Sequence, residues 1–496
     1  MTSPSLGSIG APIAALATQI LTAEQLPYRR DTVALFAPIA HWSWSMLLDS
    51  GLSAGEGGTL GSGLHGAGRG SGRYDILVAR PRRTLVTRGP VTEVRGGGRS
   101  LVSRDDPFTL LRQALGPRLA LPDDWPQGLP FPGGAVGYLG YDLARRLERL
   151  PSLASDTLGM PDLAMGIYDQ ALVVDHQEQR TWLVGRRDGS PRTRELLGRL
   201  GRGQLPYRPR PFTVSGRMGA SMDAAGYAER FDRVQAWIQA GDCYQINLAR
   251  RYSVVAAGDP WVAYAQLRTM SPAPFAAYLH VPGGRVLSSS PERFLRLAGD
   301  AVETRPIKGT RPRGAEPAED RRLAAELAAS TKDRAENLMI VDLLRNDLGR
   351  TCAPGSIQVP GLFEVETYPG VHHLVSTVTG GLAPDRDALD LLRGCFPGGS
   401  ITGAPKIRAM QIIAALEGEA RGVYCGSAAY LGFDGGLDSN ILIRTLVQAR
   451  GELRFWAGGG IVADSDRAAE WQEIAVKARA MCSLVGRLGG DTTGFA

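Results

Sequence analysis

Two rhythms of apolar and polar residues run along this chain. Short apolar runs with strand character recur in its first two hundred residues: YDILVA at 74–79, RTLVTR at 83–88, and ALVVDHQ with TWLVGRR at 171–187, a pair that reads as a hairpin. Residues 33–48, VALFAPIAHWSWSMLL, read as apolar strand and turn material, and GGAVGYLGY at 133–141 as a compact glycine and aromatic turn. Helical spacing appears beyond residue 222. AAGYAERFDRVQAWIQAG, 224–241, sets apolar residues three and four apart and stops at Gly241; 317–347 carries the same period as one long helical segment. Further helices are predicted over PKIRAMQIIAALEG, 405–418, and about 466–487. Between them lie strand patterns at CYQINLARRYSVV, FAAYLHV, RVLSSS, RFLRLA and AVETR. Strands in runs, broken by helices without a strict βαβ rhythm, predict an α+β fold rather than a doubly wound parallel sheet.

Two stretches carry neither rhythm. Residues 51–73 are mostly glycine and serine and cannot bury enough apolar surface to order themselves, so they read as a flexible loop. A polar, proline-containing connection at 201–221 marks a boundary between an N-terminal region, 1–205, and a second region, 222–487. A chain of 496 residues has room for two to four modules or one large composite unit.

Composition narrows the function. The net charge of +6 comes from 56 basic and 50 acidic residues spread along the chain, without a dense basic run interleaved with aromatics. Nucleic-acid binding therefore has little support, whereas small anionic ligands remain compatible. The five cysteines, Cys243, Cys352, Cys395, Cys425 and Cys482, are odd in number and widely spaced. That argues against a disulfide framework or zinc cluster and for a reducing, cytoplasmic setting. The start lacks the basic residues of a signal peptide, and no apolar run reaches the roughly 18 residues needed to cross a membrane.

Candidate chemistry gathers in the second region. Asp333 and Glu336 lie three apart in one helical segment; Glu470, Glu473 and Lys477 share a face of another. Each set reads as a solvated charged face or, if the helices meet, as carboxylates for a hexacoordinate Mg²⁺. AGGGIVADS, 457–465, offers Gly458, Gly459 and Gly460 as a tight turn or a nest of backbone N–H groups for an anion. FPGGSITGAPKIRAM, 396–410, runs a Gly/Ser/Thr loop into a helix; it suits a carboxylate or phosphate but lacks the Walker A spacing. His373 sits in the apolar stretch VHHLVSTV, where a histidine is commonly a satisfied core residue, and Glu292 follows three serines and a proline. In TRPIKGTRPRG, 304–314, Lys308 either points to solvent or is aimed at a ligand. Together these groups describe a site for a small polyanion whose charge is shared between a metal and backbone donors.

SPERF, PIKGT, DRAENLMIVDLLRNDLGR, HLVS, FPGGSITGAPK, YCGS, IRT and AGGGIVADS followed by E-x-x-E, in that order, resemble the chorismate-utilising enzymes. The resemblance is dense over residues 222–487 and looser before them. It implies a large two-sheet β-sandwich core flanked by helices. It also implies Glu336 and Glu473 as Mg²⁺ ligands, with Asp333 and Glu470 behind them. Gly309, Thr310, Thr402, Tyr424, Arg444, the Gly458–Gly460 backbone and Lys477 would hold chorismate. Glu292 would protonate the departing hydroxyl, and His373 would stand beside the ring.

Within the family, members that add water carry a lysine where this chain has Gln245, so the resemblance points to ammonia as nucleophile. Members that aminate at C4 resemble PIKGT and those that make anthranilate PIAGT, which makes Lys308 a candidate nucleophile. A neutral lysine is then required, and Arg305, Arg311 and the metal would supply the cationic field. Ser50, in SMLLDSG, and Pro274, Phe275 and Ala276, in SPAPFAAY, resemble the walls of the family's tryptophan pocket. The 51–73 run departs from the compact family pattern there. No G-x-C-x-G turn surrounds any cysteine, so ammonia is expected from a separate glutamine amidotransferase subunit or from solution.

Overall fold

The computed structural model describes residues 21–51, 72–151, 158–368 and 370–495. The chain's first twenty residues and most of the 51–73 loop expectation lie outside the described residues.

Two antiparallel sheets of twelve strands each form the frame. The first runs from Leu21–Leu26 through Arg180–Arg186, Gln170–Asp175, Tyr74–Val78, Met46–Asp49 and Phe275–Val281. It continues through Gly284–Ser290, Thr445–Ala449, Glu452–Ile461 and Gln245–Gly258 to Phe212–Ala220. The second carries Ile307–Pro312 at one edge beside Val371–Gly381, has Ser427–Gly432 and Gly134–Leu139 at its middle, and ends at Arg99–Ser103. Strands from before and after residues 206–221 thus share both sheets.

One apolar layer lies between the sheets, where Met46, Ile76 and Val78 meet Val136, Tyr138 and Leu295. A second lies between the outer face of the first sheet and a layer of helices that includes Ala224–Gln239, Pro260–Met270, Lys406–Glu417 and Arg467–Arg487. There Val234, Leu267, Ile412 and Ile474 cover Leu248, Tyr278 and Phe455. The α+β expectation and the two-sheet sandwich both hold.

Four local readings are corrected. Thr32–Phe36 is a short helix, capped by the Asp31 carboxylate on the Ala34 N–H at 2.9 Å, and only Met46–Asp49 of the 33–48 stretch is a strand. Gly134–Leu139 is a buried central strand rather than a turn. Its glycines answer to close approach: a Cβ on Gly137 would run into the Ala164 carbonyl. The 317–347 segment is two helices, Pro317–Ala329 and Thr331–Leu348, divided at Ser330, which has ψ 110 and whose hydroxyl caps the second helix on Asp333 N–H. The 201–221 connection contains the strand Phe212–Ala220.

These elements aim the candidate site. The Glu452–Ile461 strand pairs with Gln245–Gly258 so that Gly460 faces Asn247 and Gly459 faces Leu248. The Thr331–Leu348 and Arg467–Arg487 helices bring their acidic faces to the end of that strand pair, and Ile307–Pro312 brings Lys308. Among the described residues no helix is long and apolar enough to cross a membrane.

Candidate active site

Three carboxylates from two helices converge over two glycines. A Cβ on Gly459 would stand 3.2 Å from Glu470 Oε2 and 4.0 Å from Glu473 Oε1; one on Gly460 would stand 2.8 Å from Glu336 Oε1 and collide with the Gln245 amide. Each carboxylate meets an ammonium. Lys308 Nζ lies 2.7 Å from Glu336 Oε1, Lys477 Nζ 2.6 Å from Glu473 Oε1 and Lys332 Nζ 3.3 Å from Glu470 Oε1. Lys477 also donates to the Gly458 carbonyl at 3.0 Å.

Asp333, expected among this group, instead accepts from Arg311 at 3.3 Å and stands against Gly309, where a Cβ would lie 2.9 Å from Asp333 and Leu327 and where φ is 81°. The glycines are thus a spatial requirement of the site. Gly460→Ala is expected to leave the fold intact, since the Cβ meets movable side-chain ends, yet to lower turnover at least about tenfold by displacing Glu336 and Gln245. Circular dichroism alongside steady-state rates checks this; wild-type turnover would contradict it.

Lys308 is largely buried. Burial alone would lower its pKa, but Glu336, Glu292 and Glu473 more than reverse this and hold it above lysine's ordinary value. The cationic field expected of Arg305 and Arg311 is not delivered. Arg305 is spent on Glu366, and Arg311 on Glu326 and Asp333, so each guanidinium is neutralised locally. Beside these carboxylates Lys308 is therefore an ammonium.

Glu292, 5% exposed, follows the strand Gly284–Ser290 and accepts a 2.6 Å hydrogen bond from the Ser400 hydroxyl. Burial pushes its carboxyl up to about 7, against the opposing pull of Ser400, Lys308 and Lys477. His373, buried, pairs its Nδ1 with the Thr310 hydroxyl at 2.9 Å. Burial, with Arg444 nearby, takes the ring down to about 3, so it is neutral at physiological pH.

Arg444 has no carboxylate partner among the described residues. Burial lowers its pKa, and its φ of 49° is a left-handed conformation costing a non-glycine residue about 1 kcal/mol. A buried guanidinium without a carboxylate partner is a candidate seat for an anion. Tyr424 is buried and stacks on Trp456 with ring centres 5.7 Å apart. Gln245 is fully buried, with neither end of its amide hydrogen-bonded among the described residues.

Thr402 is placed differently from its expected role. Its hydroxyl is consumed by the carbonyls of Gly398 and Gly399 at 3.1 and 3.2 Å, leaving no free donor. Away from this cluster, Pro274, Phe275 and Ala276 line a cavity of about 120 Å³ that also touches Leu48 and Asp49. Ser50 is buried next to it; its N–H reaches Asp75 at 2.7 Å and its hydroxyl has no partner among the described residues. Ser400, Ser465 and Lys332 were not singled out from the sequence. Ser400 was visible as the one serine in the 396–410 loop; Lys332 looked like an ordinary helix-surface lysine.

The cluster offers carboxylate oxygens, each now beside a lysine ammonium, and among the described residues no group of three or more His, Cys, Asp or Glu could hold a metal ion by itself. That combination fits a hard divalent cation that keeps water or substrate oxygens as further ligands. A buried carboxylic acid raised to about 7, an arginine with no carboxylate partner among the described residues and glycine-lined carboxylates on a two-sheet sandwich are the parts that an enzyme acting on a small polyanion would use.

The family described as chorismate binding enzyme matches residues 73–483, and the chain belongs to it. It is 48% identical to aminodeoxychorismate synthase component 1 of Klebsiella aerogenes over 90% of this chain and 95% of that one. It is 44% identical to anthranilate synthase component 1 of Streptomyces coelicolor over 77% of this chain and 78% of that one. The crystal structure of anthranilate synthase component I from Streptococcus pneumoniae superposes with a TM-score of 0.72 at 31% identity, covering 82% of this chain and 92% of that one.

Proposed function

We propose that the chain converts chorismate and ammonia to 4-amino-4-deoxychorismate, the product in the component-1 relatives' names, with Mg²⁺ as cofactor. The observation that carries this reading is Lys308, a buried lysine within electrostatic reach of Glu292. Glu336 and Glu473 would hold the metal, with Glu470 close by. When bound, Mg²⁺ supplies positive charge for a substrate carboxylate. Arg444, Lys477 and the Gly458–Gly460 backbone orient the dianion.

Glu292, protonated at and below about pH 7, gives its proton to the C4 hydroxyl, which leaves as water. Lys308, once free of Glu336 and deprotonated, forms a bond from Nζ to C2 as both conjugated ring double bonds shift toward C4 and the C4–O bond breaks. Ammonia then bonds to C4, and the shift back expels the lysine. Gln245, an amide rather than an amine, offers no base to activate water, which favours ammonia. Neutral His373 contributes a hydrogen-bonding edge rather than a charge. The ammonia would come from a separate glutamine amidotransferase subunit, in keeping with the "component 1" of the relatives' names.

The 44% identity to an anthranilate synthase component supports a second reading, amination at C2 followed by pyruvate loss. Incubation with chorismate, Mg²⁺ and ammonium, followed by mass spectrometry, separates the two. Aminodeoxychorismate is the expected product; fluorescent anthranilate formed without added lyase would overturn the proposal.

A further inference from the structure

Lys332 stands where helix physics disfavours it. It lies in the first turn of the Thr331–Leu348 helix, the positive end of the helix dipole, where a cation is destabilising. Its ammonium is turned onto Glu470 Oε1 at 3.3 Å, an oxygen that also accepts from the Ser465 hydroxyl at 2.7 Å. The other oxygen, Oε2, is left facing Gly459. Lys332 is also within electrostatic reach of Glu473 and Glu336.

Glu336, Glu470 and Glu473 carry three negative charges, and Lys308, Lys332 and Lys477 carry three positive ones, so the cluster is neutral without a metal. Two of those lysines have work on the substrate in the reading above. Lys332 has none. Its side chain is 49% exposed, on a stem long enough to swing into solvent.

We propose that Lys332 is a tethered counter-cation of the three carboxylates, one that competes with the divalent metal and sets how tightly it binds before substrate arrives. This rests on the assignment of Glu336 and Glu473 as metal ligands. A cation that enters must displace positive charge already in place, so the resting site binds metal more weakly than three bare carboxylates would. Lys332 is a positioning residue, acting through Glu470 rather than on the substrate.

The test is Mn²⁺ binding to the full chain without chorismate, read from the electron paramagnetic resonance signal of free Mn²⁺. Lys332→Met is expected to tighten binding by roughly three- to tenfold at low salt, with the gain shrinking as salt is raised. Lys332→Arg, which keeps the charge, should bind like the wild type. Glu473→Gln is the reference for the site itself. If Glu473→Gln loses the ion while Lys332→Met binds it no more tightly than the wild type, the counter-cation role is overturned and the metal assignment stands. If the wild type binds no Mn²⁺ that Glu473→Gln loses, both are overturned.

Discussion

Lys308→Ala is expected to abolish aminodeoxychorismate formation, by roughly a thousandfold or more, while leaving chorismate binding largely intact. Two effects add in this variant. The amine that would attack C2 is gone, and Glu336 loses the ammonium 2.7 Å away. The second effect favours the metal, so a drop in turnover accompanied by equal or tighter Mg²⁺ binding would assign the loss to the missing nucleophile. Isothermal titration for both ligands, with product measured at saturating ammonium, checks the pair. Undiminished product would remove Lys308 from the chemistry.

The second large effect belongs to Glu292. Its carboxyl, pushed up by burial to about 7, is the proton-bearing form below that pH and the carboxylate above it. Turnover that depends on the acid should therefore fall as pH rises through about 7. Glu292→Gln should cost about 10²–10⁴-fold and flatten that limb of the profile. The same shift has a stability sign. A carboxyl whose folded pKa is raised from 4.5 favours the folded state when protonated. Above pH 4.5 its ionisation increasingly disfavours the fold, and the full penalty is reached once pH exceeds about 7. Glu292→Gln, uncharged at every pH, should therefore be more stable than the wild type at pH 8 and show little difference at pH 4.5. Thermal melts at the two values measure this, and a wild-type chain equally stable relative to the variant at both would contradict the shift.

Much of the site was legible because its chemistry is written in local patterns. Glu470, Glu473 and Lys477 share a helix face by spacing alone, whereas the three consecutive glycines, read as a tight turn or a nest, lie inside the strand Glu452–Ile461. What local pattern does not encode is which charge meets which. Asp333 and Glu336 are three apart on one helix, yet one is taken by Arg311 and the other by Lys308, three apart on a strand whose register breaks between Ile307 and Thr310. Thr402 looked like a free hydroxyl in an anion loop and proved to be tied to its own turn. The fold followed a similar division. Alternation and helical period located most elements, whereas Gly134–Leu139 escaped because its glycines serve sheet packing, a contact with residues thirty positions away. Ser330, a single capping residue, divides what its apolar period presents as one helix.

The shared sheets bear on how the chain is made. Leu21–Leu26 pairs with Arg180–Arg186, and Met46–Asp49 lies between Tyr74–Val78 and Phe275–Val281. Gly134–Leu139 is flanked by Leu163–Tyr168 and by Ser427–Gly432, nearly three hundred residues later. During synthesis the early strands emerge long before their neighbours exist, with apolar faces and open edges waiting. Such long-range pairing slows folding and prolongs exposure to aggregation. The strand pair at Gly459 and Gly460 is completed only near the end of translation. For much of its synthesis, then, the chain holds half-built sheets whose remaining strands are still to be made.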